Sequence, residues 1–490
     1  MSQTPAVPHK LVLKEGDKPL PSSYTRTRFS ATEGVSSDIS NIHIPALRNA
    51  YLNCKDSFLT FSVVAKINGL ELPEYYVPVD ADPTADPPVA AVPSDAQKLT
   101  DGNLLLDPSG ACSFISSITI LQNNVQIQHL EHYSKIHSMY AVAGAGLDSG
   151  GIRSLLSGSA YYTGDLLCEN GTLSQSGTPV THFGRVGVGS TKASAVCVTP
   201  MMTFAIPLMG LLSTCNLPLS MLSSGITIRI NWSNDVKNSF YCQQKLTTTT
   251  TQATITTGEM TFTNVTFDGA VSVLDDASQL AVERENNYKT QPISWTGDSY
   301  YAAIRDTTAD ELTTATTANQ ILGGVTYTST KSILYGSFCK PTESSNLEPC
   351  NLSHIAHDSI RLRVNGVEYP RQAIDTLDKM VAQTAVVTGA TSQSTSTGLM
   401  TRQFTTSNFR PKTGSADATD IRSNDRGVVG ISLNNWPAMG ATSGIDTRGG
   451  DCSAELTTTS VATTVDLTSY FVACFDVQYI LEDGVLKQAF

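Results

Sequence analysis

Between Ala193 and Ile228 the chain runs for 36 residues without a charged side chain, and Pro200, Pro207 and Pro218 recur inside that run. An uncharged run of this length is a membrane span, a buried core or a buried interface. A spanning helix needs about 20 continuous apolar residues. A proline inside a helix costs about 3 kcal/mol or more, and Gly210 and Asn216 interrupt the run further. The stretch FAIPLMGLLSTCNLPLSMLSSGITIRINW (204–232) is therefore not one helix. Its end alternates instead: Ile226, Ile228, Ile230 and Trp232 take one parity, and Thr227, Arg229 and Asn231 the other. Period two is the mark of a half-buried β-strand. The run is expected to be a strand, buried turns, then a strand.

The same alternation recurs in SFLTFSVVAKI (57–67), SITIL (117–121), MTFTNVTF (260–267) and FDVQYIL (475–481). Turn signals separate these segments, as an all-β sandwich requires. Helical periodicity is scarce. It is clearest at Leu130, Tyr133, Ile136 and Tyr140, and again at Ile374, Leu377, Met380 and Val381.

Each helical pattern follows a similar hairpin, ITILQNNVQIQ (118–128) and IRLRVNGVEYP (360–370). They align without gaps at an offset of 242 residues, close to half of the 490-residue chain, with three of eleven positions identical. Asn123-Asn124 and Asn365-Gly366 fall together, and both pairs tolerate the positive φ angles of a type I′ turn. The order hairpin then helix, once per half, points to an internal duplication. The expected architecture is two tandem β-sandwiches with short helices and long loops: an arm over 1–30, a first sandwich over 31–275 and a second over 276–490. Residues 71–110 (seven prolines), 144–200 and 388–428 read as the long loops. Loops of this length are usually functional or interfacial.

Charged residues make up 16% of the chain and the net charge is −12. Broad nucleic-acid binding through a basic face is not expected of such a chain. Residues 1–30 are the exception. Lys10, Lys14, Lys18, Arg26 and Arg28 outweigh Glu15 and Asp17, and four prolines deny them a helix. This is an extended, mildly basic arm or a disordered tail. The first residues lack the apolar region of a secretory signal. Ten single cysteines form no CxxC pair, so neither a zinc site nor a redox motif is expected, and most read as reduced and buried.

No constellation of residues in the sequence spells out a catalytic or ligand site. FGRVGVGSTK (183–192) places its lysine after the Ser-Thr pair, unlike a phosphate-binding loop. GAGLDSGG (144–151) follows a helical pattern instead of a strand, unlike a dinucleotide fingerprint. His129, His132 and His137 spread around a helical wheel, and His354, His357 and Asp358 lack a clear further ligand. No catalytic residue, cofactor or metal is expected.

Three ordered motifs carry a family resemblance: the 204–232 stretch, VNGVEYP (364–370), and SGIDTRGGDCSAEL (443–456) followed by a terminal strand pair that turns at Glu482-Asp483-Gly484. In these the chain resembles the double jelly-roll major capsid proteins of virophages and Polinton-like viruses, and more distantly those of adenoviruses and giant viruses. The resemblance implies two eight-stranded jelly rolls and a structural, non-enzymatic role. It implies homotrimers that act as pseudo-hexameric capsomers and tile an icosahedral DNA-virus shell in the virion, assembled inside the host cell. It implies minor and penton capsid proteins as partners. The arm residues Lys10, Lys14, Lys18, Arg26 and Arg28 would face inward, toward an internal membrane or packaged double-stranded DNA. Leu208, Leu217, Pro218, Leu219 and Trp232 become the structural or interface candidates. The competing reading is a β-sandwich fibre, adhesin or carbohydrate-binding protein, whose aromatic platforms would have to come from Trp232, Trp295 and Trp436.

Overall fold

The structure, a computed structural model, describes residues 22–32, 38–68, 74–78, 93–100, 102–107, 109–148, 196–198, 201–214, 216–244, 257–285, 291–308, 310–311, 314, 316–340, 353, 357–388, 428–434, 444–458 and 466–489. Eight strands frame the first half: β1 (Ser22–Ser30), β2 (Ile39–Ile44), β3 (Ala50–Asn68), β4 (Ile115–Gln122), β5 (Val125–Leu130), β6 (Met202–Ile206), β7 (Ile226–Trp232) and β8 (Thr257–Leu274), with further strands between them. Helix α1 (Tyr133–Asp148) lies between β5 and β6, and α2 (Asp276–Glu285) follows β8. A second set comprises β9 (Ile293–Thr307), β10 (Thr316–Ile321), β11 (Thr330–Cys339), β12 (Ser359–Val364), β13 (Val367–Ile374), β14 (Val429–Ser432), β15 (Cys452–Thr458) and β16 (Leu467–Glu482). Helix α3 (Leu377–Thr388) lies between β13 and β14, and β17 (Val485–Ala489) closes the described chain.

The first set pairs as β1-β8-β3-β6 and β2-β7-β4-β5, the second as β9-β16-β11-β14 and β10-β15-β12-β13. Counted within each set, both orders are first-eighth-third-sixth and second-seventh-fourth-fifth. Every pairing is antiparallel. Each set is thus a jelly roll of two sheets with four framework strands each, to which Val196–Val198 and Asn216–Pro218 add in the first and β17 in the second, and the fold is a double jelly roll. The repeat at a half-chain offset is topological as well as local.

Alternation sets the layers. Along β7, Ile226, Ile228, Ile230 and Trp232 are buried while Arg229 is exposed. They face Phe61, Phe114, Phe204 and Phe262, whose rings meet at 4–6 Å between centroids around Trp232 and Phe61. Two-residue turns close the hairpins. Gln122 pairs with Val125 across Asn123 (φ 51°) and Asn124 (φ 62°), and Val364 pairs with Val367 across Asn365 (φ 50°) and Gly366 (φ 76°). Asp483 (φ 49°) and Gly484 (φ 76°) make a third such turn between β16 and β17. Among the described residues no helix is long and apolar enough to cross a membrane.

Two expectations change. Arg26 and Arg28 do not belong to a free arm, because β1 pairs with β8 along its whole length, from Ser22 opposite Leu274 to Ser30 opposite Thr266. The prolines end at Pro21, and the Ser/Thr/Tyr-rich segment that follows suits an edge strand, anchored inward by buried Phe29. Arg28 Nε lies 2.9 Å from Asp268 Oδ1, and the Arg26 guanidinium sits over the Phe58 ring at 4.9 Å. Lys10, Lys14 and Lys18 lie outside the described residues. The proline-rich 71–110 segment also contains strands: Glu74–Pro78 pairs with Pro93–Thr100, and Gly102–Leu106 pairs with Phe240–Gln244.

Candidate functional site at the junction of the jelly rolls

The five residues singled out in the 204–232 stretch are all buried. Leu217 and Leu219 are fully enclosed, and Leu208, Pro218 and Trp232 nearly so. Pro218 is opposite Tyr51 and Leu217 opposite Leu52, because Asn216–Pro218 adds a short strand to β3. The Trp232 indole Nε1 donates to Ser40 Oγ at 2.9 Å. Leu208, Leu217, Leu219 and Trp232 belong to one apolar cluster with Ile293, Trp295, Phe475, Val477, Tyr479, Leu481 and Leu486 of the second roll. The described residues of the 204–232 stretch therefore help to fill the first core and reach the seam with the second.

The polar part of the seam comes from side chains that the sequence reading missed. Gln122 and Gln128, both on the β4–β5 hairpin, are each 2% exposed. Gln122 Nε2 donates to the Gly484 carbonyl at 2.9 Å, and the Leu486 amide donates to Gln122 Oε1 at 2.6 Å. Gln128 Nε2 donates to Ser299 Oγ at 3.0 Å and Tyr479 Oη at 3.1 Å, and the Leu211 amide donates to its Oε1 at 2.8 Å. The Ser223 amide and hydroxyl both donate to the Gly484 carbonyl, at 2.9 and 3.0 Å. A signal was present. Gln122 shares the parity of Ile118 and Ile120, so it is a polar residue in an apolar row.

Backbone approach is close at the same place. Gly210 (φ +79°) lies against the Gln128 amide, and a Cβ on Gly484 (φ +76°) would meet the Ser223 nitrogen at 2.6 Å. Both positions require a left-handed backbone and no side chain.

Helix α1 extends the contact. Ile136, Met139 and Ala143 pack on Leu334, Phe338, Tyr470 and Val472 of the second roll. Lys135 Nζ sits 4.8 Å from the Phe338 ring centre, and the Tyr140 and Tyr300 rings meet edge to face at 5.0 Å. At the start of α1 a cleft of about 200 Å³ opens between the rolls, lined by His132, Lys135, Phe338, Lys340, Thr468 and Tyr470 among others.

The histidines do not converge. His129 Nδ1 lies 2.8 Å from Thr119 Oγ1. Burial lowers the pKa of His137 to about 4. His357 contacts the Tyr335 hydroxyl, and burial, with the Arg305 charge, lowers its pKa to about 4. Among the described residues no three His, Cys, Asp or Glu side chains gather as a metal site would need. Cys54, Cys112, Cys452 and Cys474 are buried free thiols, and burial pushes Cys112 and Cys474 well above the usual range. His354, Trp436 and the glycine-rich 183–192 segment lie outside the described residues. The arrangement is suited to holding two sandwiches in one orientation.

No family model matches the sequence, and no curated protein matches it. Solved structures do. The chain is similar to one in the PBCV-1 virus capsid, with a TM-score of 0.53 at 10% identity, covering 98% of this chain and 99% of that one. It is similar to the Faustovirus major capsid protein, with a TM-score of 0.53 at 9% identity over 96% and 92%. It is similar to a chain in the structure of the Sputnik virophage, with a TM-score of 0.51 at 11% identity over 98% and 89%. At about one identical residue in ten, these likenesses show a shared fold.

Proposed function

We propose that the chain is a major capsid protein: a structural, non-enzymatic subunit that trimerises into a pseudo-hexameric capsomer and tiles the icosahedral shell of a DNA virus. One observation carries the reading. Two jelly rolls of identical strand order are locked side by side through a buried seam, and the full-length likeness is to chains of the PBCV-1 capsid and the Faustovirus capsid protein. Three such chains supply six lobes of one shape, the number a hexagonal block needs. In this reading the two units divide near 275/276, just before α2, and the first unit begins with β1 at Ser22 instead of residue 31. Its place is the virion, and its main partner is itself. Minor and penton capsid proteins are the further partners, and Lys10, Lys14 and Lys18 face inward, toward an internal membrane or packaged double-stranded DNA.

A sugar-binding or adhesive sandwich needs exposed aromatic platforms. Trp232 and Trp295 are 4% and 8% exposed, which counts against that alternative. The test is purification followed by light scattering and electron microscopy. Three chains of 52.3 kDa each in a particle of hexagonal outline are expected. A stable monomer at high concentration, or slender fibres, would overturn the proposal.

A further inference from the structure

We infer that Gln122 and Gln128 set the registry between the two jelly rolls, and that this registry is their contribution to capsomer assembly. The assembly consequence rests on the capsid reading above; the registry itself does not.

Each glutamine makes three hydrogen bonds with different partners. Gln122 reaches the Ser224 carbonyl at 3.3 Å in its own roll, and the Gly484 carbonyl and Leu486 amide in the other. Gln128 holds the Leu211 amide of its own roll, and Ser299 and Tyr479 of the other. Both amide groups therefore tie the 204–232 segment and the second roll to one hairpin. Apolar surfaces can slide over one another with little penalty. A buried primary amide cannot, because a shift that breaks its directional bonds leaves donors and acceptors unpaired away from water.

The duplicated hairpin separates this role from folding. The ungapped alignment puts Val364 opposite Gln122 and Pro370 opposite Gln128. Val364 is buried in its own roll's core, and β12–β13 forms the same hairpin with a two-residue turn. A jelly roll of this kind thus closes without either glutamine. The glutamines occur in the copy whose hairpin docks on the other roll. Gly210 and Gly484, which let the backbone come close at the two contacts, complete the fit. A ring of lobes closes only if the step within a chain matches the step between chains, so a fixed internal step is a requirement of assembly.

The test compares the full-length chain with Gln122→Met and Gln128→Met, singly and together. Methionine keeps the length and loses the donors. Far-UV circular dichroism is expected to stay unchanged. Hydrogen exchange is expected to accelerate at least tenfold in peptides carrying Leu211 and Leu486, but not in those carrying Ile228 or Ile333. Trimer yield is expected to fall at least tenfold, with particles of irregular outline. Unchanged exchange at Leu211 and Leu486 would overturn the registry role. So would acceleration throughout both rolls, which would make the glutamines general stabilisers. Altered exchange with normal trimers would overturn the link to assembly. Should the methionine variants fail to fold, Ser299→Ala removes a single Gln128 partner, and wild-type exchange and trimer yield in that variant would count against the proposal. A wild-type chain that never trimerises would sink the capsid reading and leave the exchange experiment to decide the registry.

Discussion

The indole of Trp232 lies flat on the ring of Phe262, with centroids 4.2 Å apart and planes 12° from parallel. The two residues belong to β7 and β8, which are in opposite sheets of the first jelly roll. The pair therefore spans the sandwich and helps to hold its faces together. Trp232→Ala removes this stack and the bond to Ser40. Large-to-small changes of this kind cost about 3–5 kcal/mol. Denaturant unfolding should show a loss of that order, and a cost under about 1 kcal/mol would place the tryptophan outside the core's cooperative unit.

Two histidines make the fold sensitive to mild acid. Burial holds His357 and His137 near pKa 4 in the folded chain, against 6.5 when unfolded. The unfolded chain thus takes up protons first. Their contribution is fully present above about pH 6.5 and is lost as the pH falls toward 4. For His357, 6% exposed, the full loss is about 3 kcal/mol by the free energy of a pKa shift. His137 is half-buried, so its share is smaller. Urea midpoints measured from pH 7.5 to 4 should fall across this window, and His357→Gln should flatten the slope. A wild-type midpoint constant over the range would refute the assignment.

Much of the fold was legible because β-structure writes itself as period two. Ile226 to Trp232, and the Asn-Asn and Asn-Gly turns, are local patterns with local causes. The repeat of hairpin and helix pointed to two like halves for the same reason. The seam was less legible. A buried glutamine and an exposed one look alike in a strand, and only the row Ile118, Ile120, Gln122 hinted at burial. Which carbonyl Gln122 meets, 362 residues away, is a property of tertiary packing. The edge strand at Arg26 and Arg28 was hidden because its residues are exposed and polar, so burial left no period in them.

Gly484 and Gly366 separate backbone strain from crowding. Both have φ +76°. A Cβ at Gly366 meets nothing within 4 Å, whereas at Gly484 it meets the Ser223 nitrogen at 2.6 Å. Gly366→Ala should cost only the left-handed strain of about 1–2 kcal/mol. Gly484→Ala should cost clearly more and should weaken the Ser223 contact between the rolls. Thermal melting of the two variants side by side decides it, and equal losses would show that the seam yields around residue 484.

Leu217 and Leu219 are both fully buried, in the segment that adds to β3 and then turns toward the seam. An aspartate at either site would place a carboxylate in an apolar cluster with no cation among the cluster's side chains. An unpaired buried charge costs several kcal/mol even after relaxation, a large part of the 5–15 kcal/mol that holds a typical domain. Leu217→Asp and Leu219→Asp should therefore give aggregated chain, or monomers that do not trimerise. Leu217→Met, close in volume, should cost less than about 1.5 kcal/mol and leave assembly intact. The readout is the yield of soluble trimer by size-exclusion chromatography with light scattering. Normal trimer yield from both aspartate variants would mean that this segment is not the core of the first roll.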